Sequence, residues 1–134
     1  MERTWIKHLE SRCKGKYEQI MQYAYLDHEN EICSFPIFTT TGQYAGFQQY
    51  RWDKNKVKNN CPKEARYYTM VKVKSAYWGL HLWTSNRPIA ICEGIFDAIA
   101  AYAIGYNPVA ILSYANNNIL QSLDLYPQEK IALS

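Results

Sequence analysis

Ile89-Ala90-Ile91-Cys92-Glu93-Gly94-Ile95-Phe96-Asp97-Ala98-Ile99-Ala100-Ala101 is the stretch whose reading decides the fold. Four apolar residues in a row, 89–92, read as a short strand buried on both faces. Glu93-Gly94 interrupts the run. Ile95 to Ile104 then reads as an alanine-rich helix, and Gly105 sits where a helix-ending glycine belongs. Pro108 to Leu112 is a second apolar strand, Asn116 to Leu123 a short helix, and Lys130-Ile131-Ala132-Leu133 the start of a third strand. Apolar strands alternating with helices predict a parallel sheet with right-handed crossovers. Ligands of open α/β sheets bind at the carboxyl ends of the strands, which singles out Glu93. Asp97 follows four residues later, on the first turn of the helix, so both carboxylates are expected to face one site. Carboxylates so placed can ligate Mg²⁺ or shuttle a proton. An equally weighted reading is that they only favour a helix N-terminus electrostatically.

Upstream the periodicity changes. Residues 4–26 carry Trp5, Leu9, Cys13, Tyr17, Ile20, Met21 and Ala24 at three- and four-residue steps, which predicts a helix. Gly15 weakens its middle, so two shorter helices are the alternative. Asp27-His28-Glu29-Asn30-Glu31 is a polar break. Residues 32–83 read as β: a strand at 32–38 containing Pro36, a turn at 39–43, and a returning strand at 44–52 that makes a hairpin. Residues 53–63 form a polar loop, 67–73 a third strand, and 75–83 a loop or short strand rich in aromatics. Tyr77, Trp78 and Trp83 there are expected in the core, and His8, His28 and His81 as surface or satisfied side chains.

The chain has 134 residues, is 48% hydrophobic and contains 12 tyrosines, ample material for a core, which excludes disorder. No apolar run approaches the ~20 residues of a membrane span, and no signal peptide is visible, so a cytoplasmic protein with no membrane partner is expected. The net charge of +3 hides a split. Residues 1–88 are net +6 and residues 89–134 net −3. Within 51–74, Arg51, Lys54, Lys56, Lys58, Lys63, Arg66, Lys72 and Lys74 face only Asp53 and Glu64. These charges are interleaved with Tyr50, Trp52, Tyr67 and Tyr68, as in surfaces that hold single strands by stacking and phosphate contacts. The competing reading is a solvated lysine loop with aromatics buried beneath it. Cys13, Cys33, Cys61 and Cys92 lack metal-ligand spacing, so no zinc is predicted, although Cys13, His28, Cys33 and Cys61 are conceivable ligands on paper. A reduced compartment fits better than a disulfide framework.

The 89–101 stretch resembles the first motif of the Toprim domain, shared by bacterial-type primases, type IA and II topoisomerases and some nucleases. That motif is an apolar strand, Glu-Gly, a spacer, Asp and an alanine-rich helix. Upstream, Phe35-Pro36-Ile37, Gly42, Gly46-Phe47-Gln48-Gln49-Tyr50-Arg51, Ala65-Arg66-Tyr67-Tyr68-Thr69 and Tyr77-Trp78-Gly79-Leu80 are similar, in order and approximate spacing, to the part of the bacterial and phage primase core that precedes its Toprim domain. Topoisomerases lack that lobe. The resemblance covers residues 32 to 112, and residues 1–31 resemble nothing identified.

The resemblance implies a fold of α/β class: an α+β N-terminal lobe followed by a partial Toprim-type open parallel sheet. The segments would be 1–31 (helical), 32–87 (basic lobe) and 88–134 (first part of the Toprim fold). It implies the catalytic core of a DNA primase of a phage or mobile element, which makes short RNA primers on single-stranded DNA from nucleoside triphosphates with Mg²⁺ or Mn²⁺. A replicative helicase would be a further partner. Glu93 would be the catalytic carboxylate, acting on a 3′-hydroxyl as general base or through a metal, Gly94 would allow close backbone approach, and Asp97 would support the metal site. Arg51 and Arg66 match basic positions lining the template and nucleotide groove, and Lys54, Lys56, Lys58, Lys72 and Lys74 extend that surface. The second Toprim motif, Asp-x-Asp after a later strand, is missing, because the strand beginning at Lys130 reaches Ser134 without it. The expectation is therefore the N-terminal part of a longer enzyme, binding metal weakly and inactive alone. No zinc module precedes the core. Two alternatives stay open: a non-catalytic single-strand-binding module with a vestigial Toprim portion, and a Toprim nuclease or topoisomerase fragment.

Overall fold

The computed structural model describes residues 4–54, 65–73, 75–112 and 130–132. The chain is of mixed α/β class. It begins with α1 (Thr4–Arg12) and α2 (Tyr17–Met21) and enters β1 (Tyr25–Asp27). The single helix expected over 4–26 is thus two, and its last turn is lost to a strand. The break falls at Lys14 and Gly15, both at positive φ, a conformation that a right-handed helix does not admit. The polar break at 27–31 is the β1–β2 turn, where Asp27 accepts from the backbone N–H and the side-chain amide of Asn30.

β2 (Ile32–Thr39), β3 (Tyr44–Arg51), β4 (Tyr67–Val71) and β5 (Ala76–Tyr77) complete an antiparallel sheet in the order β1-β2-β3-β4, with β5 paired to β2. The β2–β3 hairpin forms where its alternation and its Gly42 turn predict it. One face of this sheet is inward. Cys33, Phe35 and Ile37 of β2 are buried, as are Gln48 and Tyr50 of β3.

The second sheet is parallel and has the order β7-β6-β8, with β6 (Ile89–Cys92), β7 (Asn107–Ala110) and β8 (Lys130–Ala132). Between β6 and β7 lies α3 (Ile95–Ala103), close to its predicted span. Every residue of β6 and β7 is buried, as expected for a parallel sheet covered on both faces. Ala90 and Cys92 face the main core, which also holds Trp5, Leu9, Phe35, Tyr50, Trp78 and α3 residues Phe96 and Ile99. Ile89 and Ile91 face a smaller cluster with Tyr77 and Val109. Asn107, fully buried, is satisfied by clamping the loop before β6: it accepts from Thr84 N–H and donates to the carbonyls of Thr84 and Arg87. The short helix expected at 116–123 lies outside the described residues.

One three-residue stretch belongs to both sheets. Ala76 and Tyr77 pair with Thr39 and Phe38 of β2, and Trp78 exchanges backbone hydrogen bonds of 3.3 and 2.9 Å with Ala110 of β7. Gly79 follows at φ +110°, and a Cβ there would stand 2.5 Å from the Pro108 carbonyl oxygen, so only glycine passes. Tyr77 and Trp78 are fully buried, in line with their expected core role. Their neighbour His81, expected to be satisfied, is not: both ring nitrogens are buried without a hydrogen-bond partner, among the rings of Tyr23, Phe38 and Trp78. Its single-turn helix (Leu80–Leu82) packs it against aromatic faces that offer no acceptor.

Candidate active site

Where β6 ends, the chain stops being buried. Glu93 is exposed directly after Cys92, and β7 stays alongside it: Ile111 N–H donates to the Cys92 carbonyl and Leu112 N–H to the Glu93 carbonyl. Gly94 turns the chain into α3, its carbonyl accepting from Ala98 N–H, and Asp97 emerges on the first helical turn. Glu93, Gly94 and Asp97 line one wall of a cleft of about 670 Å³ whose floor reaches Ile111 and Leu112. A Cβ on Gly94 would sit 3.8 Å from an Asp97 carboxylate oxygen, an ordinary contact. Among the described residues nothing crowds that position.

The opposite wall comes from the antiparallel sheet and α1: Gln48, Tyr67 and Arg12. Gln48 and Tyr67 point inward from β3 and β4, and the Gln48 amide donates to Thr69 Oγ1 at 2.8 Å. The Arg12 guanidinium lies 3.9 Å above the centre of the Phe96 ring, a cation–π contact that holds this five-donor cation at the cleft. Behind this wall His8 Nε2 and the Tyr50 hydroxyl share a 2.6 Å hydrogen bond. Burial, then the nearby charges of Arg12 and Arg66, hold the His8 pKa below its ordinary value. Burial and Tyr67 push Tyr50 up, while Arg12 and Arg66 pull it down. The cleft thus sets two exposed carboxylates across from a basic, aromatic wall. The Cys92 thiol beneath it is pushed up to about 11, first by burial and then by Asp97, which makes it a poor nucleophile.

Of the residues singled out in the sequence, the structure brings Glu93, Gly94 and Asp97 together. Arg66 lies near the His8–Tyr50 pair behind the opposite wall, its Nε donating to the Lys54 carbonyl. Arg51 is elsewhere. Strand alternation turns it away from Gln48 and Tyr50 onto the other face of the sheet, where it is only 8% exposed and donates to Gln49 Oε1. Lys54 and Lys72 are exposed, and Lys56, Lys58 and Lys74 lie outside the described residues. The sequence reading missed Arg12 and Gln48 as cleft residues, and it grouped Tyr67 with Tyr50, Trp52 and Tyr68 in the basic stretch without placing it opposite Glu93. Arg12 sits in the segment that resembles nothing, and only the fold brings α1 to Phe96.

For Mg²⁺ or Mn²⁺ the donor set is Glu93 and Asp97. Hard carboxylate oxygens open to water suit Mg²⁺, which takes one or two protein carboxylates and keeps several waters. Among the described residues there is no group of three or more His, Cys, Asp or Glu side chains arranged to hold a metal. Cys13 and Cys33, conceivable zinc ligands on paper, are buried thiols whose pKa values burial raises, Cys13 to about 11, so the thiolate that zinc requires is disfavoured. Cys61 lies outside the described residues.

No family model matches the chain, and no curated protein or solved structure is significantly similar to it. Among the described residues no helix is long and apolar enough to cross a membrane.

Proposed function

We propose that this cleft is the nucleotidyl-transfer site of a primase-type enzyme of the cytoplasm, copying single-stranded DNA into short RNA primers. One observation carries the reading: Glu93-Gly94 and Asp97 open at the carboxyl end of the central parallel strand, facing a cationic, aromatic wall across a cleft wide enough for a nucleotide. In this reading Glu93 takes the proton of the primer 3′-hydroxyl. The oxygen forms a bond to the α-phosphorus of the incoming nucleoside triphosphate, and the bond to pyrophosphate breaks. Arg12 offsets phosphate charge, and Tyr67 offers a ring to a base. A divalent ion held by Glu93 and Asp97 supplies further charge neutralisation when bound. The carboxyl end of β8 opens on the same edge, since Ala132 pairs with Ile91, so an Asp-x-Asp segment following this strand would enter the same site.

The test is primer synthesis on single-stranded DNA by a chain that continues past Ser134. Glu93→Gln is expected to lower the rate by about 10²–10⁴-fold, the usual worth of a positioned general base. Undiminished synthesis by that variant would remove Glu93 from the mechanism. A second reading, a non-catalytic single-strand-binding module, draws support from the tyrosine-bearing sheet face taken up next, and it is favoured if no extension of the chain yields primers.

A further inference from the structure

We propose that the outer face of the antiparallel sheet, the face turned away from Glu93, is a stacking platform for single-stranded DNA. The solvent face of such a sheet is ordinarily polar. Here the register lines up Tyr25, Ser34, Gln49 and Tyr68 across β1 to β4, with Phe47 and Met70 paired in an adjoining row. Tyr25 is 69% exposed, Tyr44 61% and Met70 50%. Tyr44 meets Phe38 edge-on and Phe47 lies tilted against Tyr68, so neighbouring rings on this face brace each other while staying open to solvent. Tyr25, Tyr44 and Phe47 border a groove of about 330 Å³ floored by Ser34, Pro36 and Gln49. Flat rings separated by short hydrogen-bonding side chains can stack bases and touch their edges without sequence preference.

Charge selects the occupant. Arg51 continues the Phe47–Gln49 line on this face, but it is buried and donates to Gln49 Oε1, so it contributes positive potential from beneath the face rather than a contact. Lys54 stands exposed beyond β3 at one end of the sheet and Lys72 beyond β4 at the other, because the two strands are antiparallel. Asp27, the carboxylate paired across from Ile32 on the same face, accepts from Asn30, stays ionised and marks the acidic end of the β1 edge. A polyanion carrying flat bases uses both the rings and the lysines at the two ends of the face, whereas an acidic protein would use only the lysines. β4 ends the sheet order, with Tyr68 on the outer face and Tyr67 in the cleft, so a strand lying on the platform has a stepped route around β4 toward Glu93. The choice of DNA as occupant rests on the copying function proposed above.

The experiment is fluorescence anisotropy of a labelled oligo-dT on the 134-residue chain at low salt, with heparin as a base-free polyanion. Tyr25→Ala and Tyr44→Ala, each at an exposed position and each checked for unchanged melting, are expected to weaken oligo-dT binding roughly tenfold per ring. Tyr25→Phe and Tyr44→Phe should bind as the parent does, and heparin binding should ignore all four substitutions. Absence of oligo-dT binding, or alanine variants within twofold of the parent, overturns the proposal. So does a concentration-dependent dimer that the alanine variants abolish, which would give the face to a second copy of the chain. Glu93→Gln is expected to leave oligo-dT binding intact. Failure of the copying reading therefore shows in primer synthesis, and failure of the platform shows in ring dependence.

Discussion

Along β2, buried residues alternate with half-buried ones from Ile32 to Phe38, whereas β6 and β7 are buried at every residue. The antiparallel sheet keeps one face for the core and turns the other outward. β6 and β7 have no free face, because α3 covers one side of β6 and the Tyr77 cluster covers the other. Polar chemistry on these two strands can therefore surface only at their ends, and Glu93 is the first exposed residue after four buried ones. The antiparallel sheet can display chemistry along its whole length, and it does so twice, with Gln48 and Tyr67 inward and its tyrosine rows outward.

The comparison breaks first at the seam. Trp78 is fully buried and touches both sheets, contacting Phe35 edge-on and pairing with Ala110. Trp78→Ala is expected to cost about 3–5 kcal/mol, the usual range for deleting a buried large aromatic. Urea unfolding would measure it, and a loss below 1 kcal/mol would mean that the sheets hold together without it. Gly79→Ala, forced against the Pro108 carbonyl in a left-handed conformation, is expected to cost about 2–3 kcal/mol. An unchanged unfolding midpoint would contradict the close approach seen there.

A smaller effect separates the sheets by pH. Burial holds the His81 pKa down to about 4, against an ordinary value of 6.5. The unfolded chain then binds a proton that the folded chain refuses. Stability is complete above about pH 6.5 and is lost as pH falls toward 4, by about 2 kcal/mol between pH 7 and pH 5. His81→Leu should flatten most of that slope. A residual slope of the same sign is expected from His8, whose pKa is also depressed. If His81→Leu retains the full acid loss, the sensitivity lies elsewhere.

Much of this architecture was legible in the sequence because its signals are local. An unbroken apolar run, a Glu-Gly interruption and an alanine-rich segment ending at Gly105 specify β6, α3 and their junction without long-range information. The facing of the antiparallel strands was harder to read. In β3 both parities carry aromatics, Phe47 on one and Tyr50 on the other, so the pattern alone does not say which face is inward. Arg51 was accordingly grouped with the groove, although it shares its parity with Phe47. Arg12 was invisible for a different reason: its place at the cleft depends on α1 crossing to Phe96, a contact 84 positions away in the chain. The α1–α2 break was half legible, since Gly15 flagged weakness but the positive φ of Lys14 did not follow from its identity.

The stretch Ala76–Trp78 has a consequence for the size of what the cleft accepts. Three consecutive residues are stitched to β2 at one end and to β7 at the other, so the separation of the two walls is set by covalent chain rather than by a yielding interface. Domains that rock on a hinge fit themselves to their ligand, whereas walls tied in this way act as a fixed calliper. A substrate must match the gap as built, and adjustment falls to the exposed side chains that line it, Glu93 and Asp97 foremost.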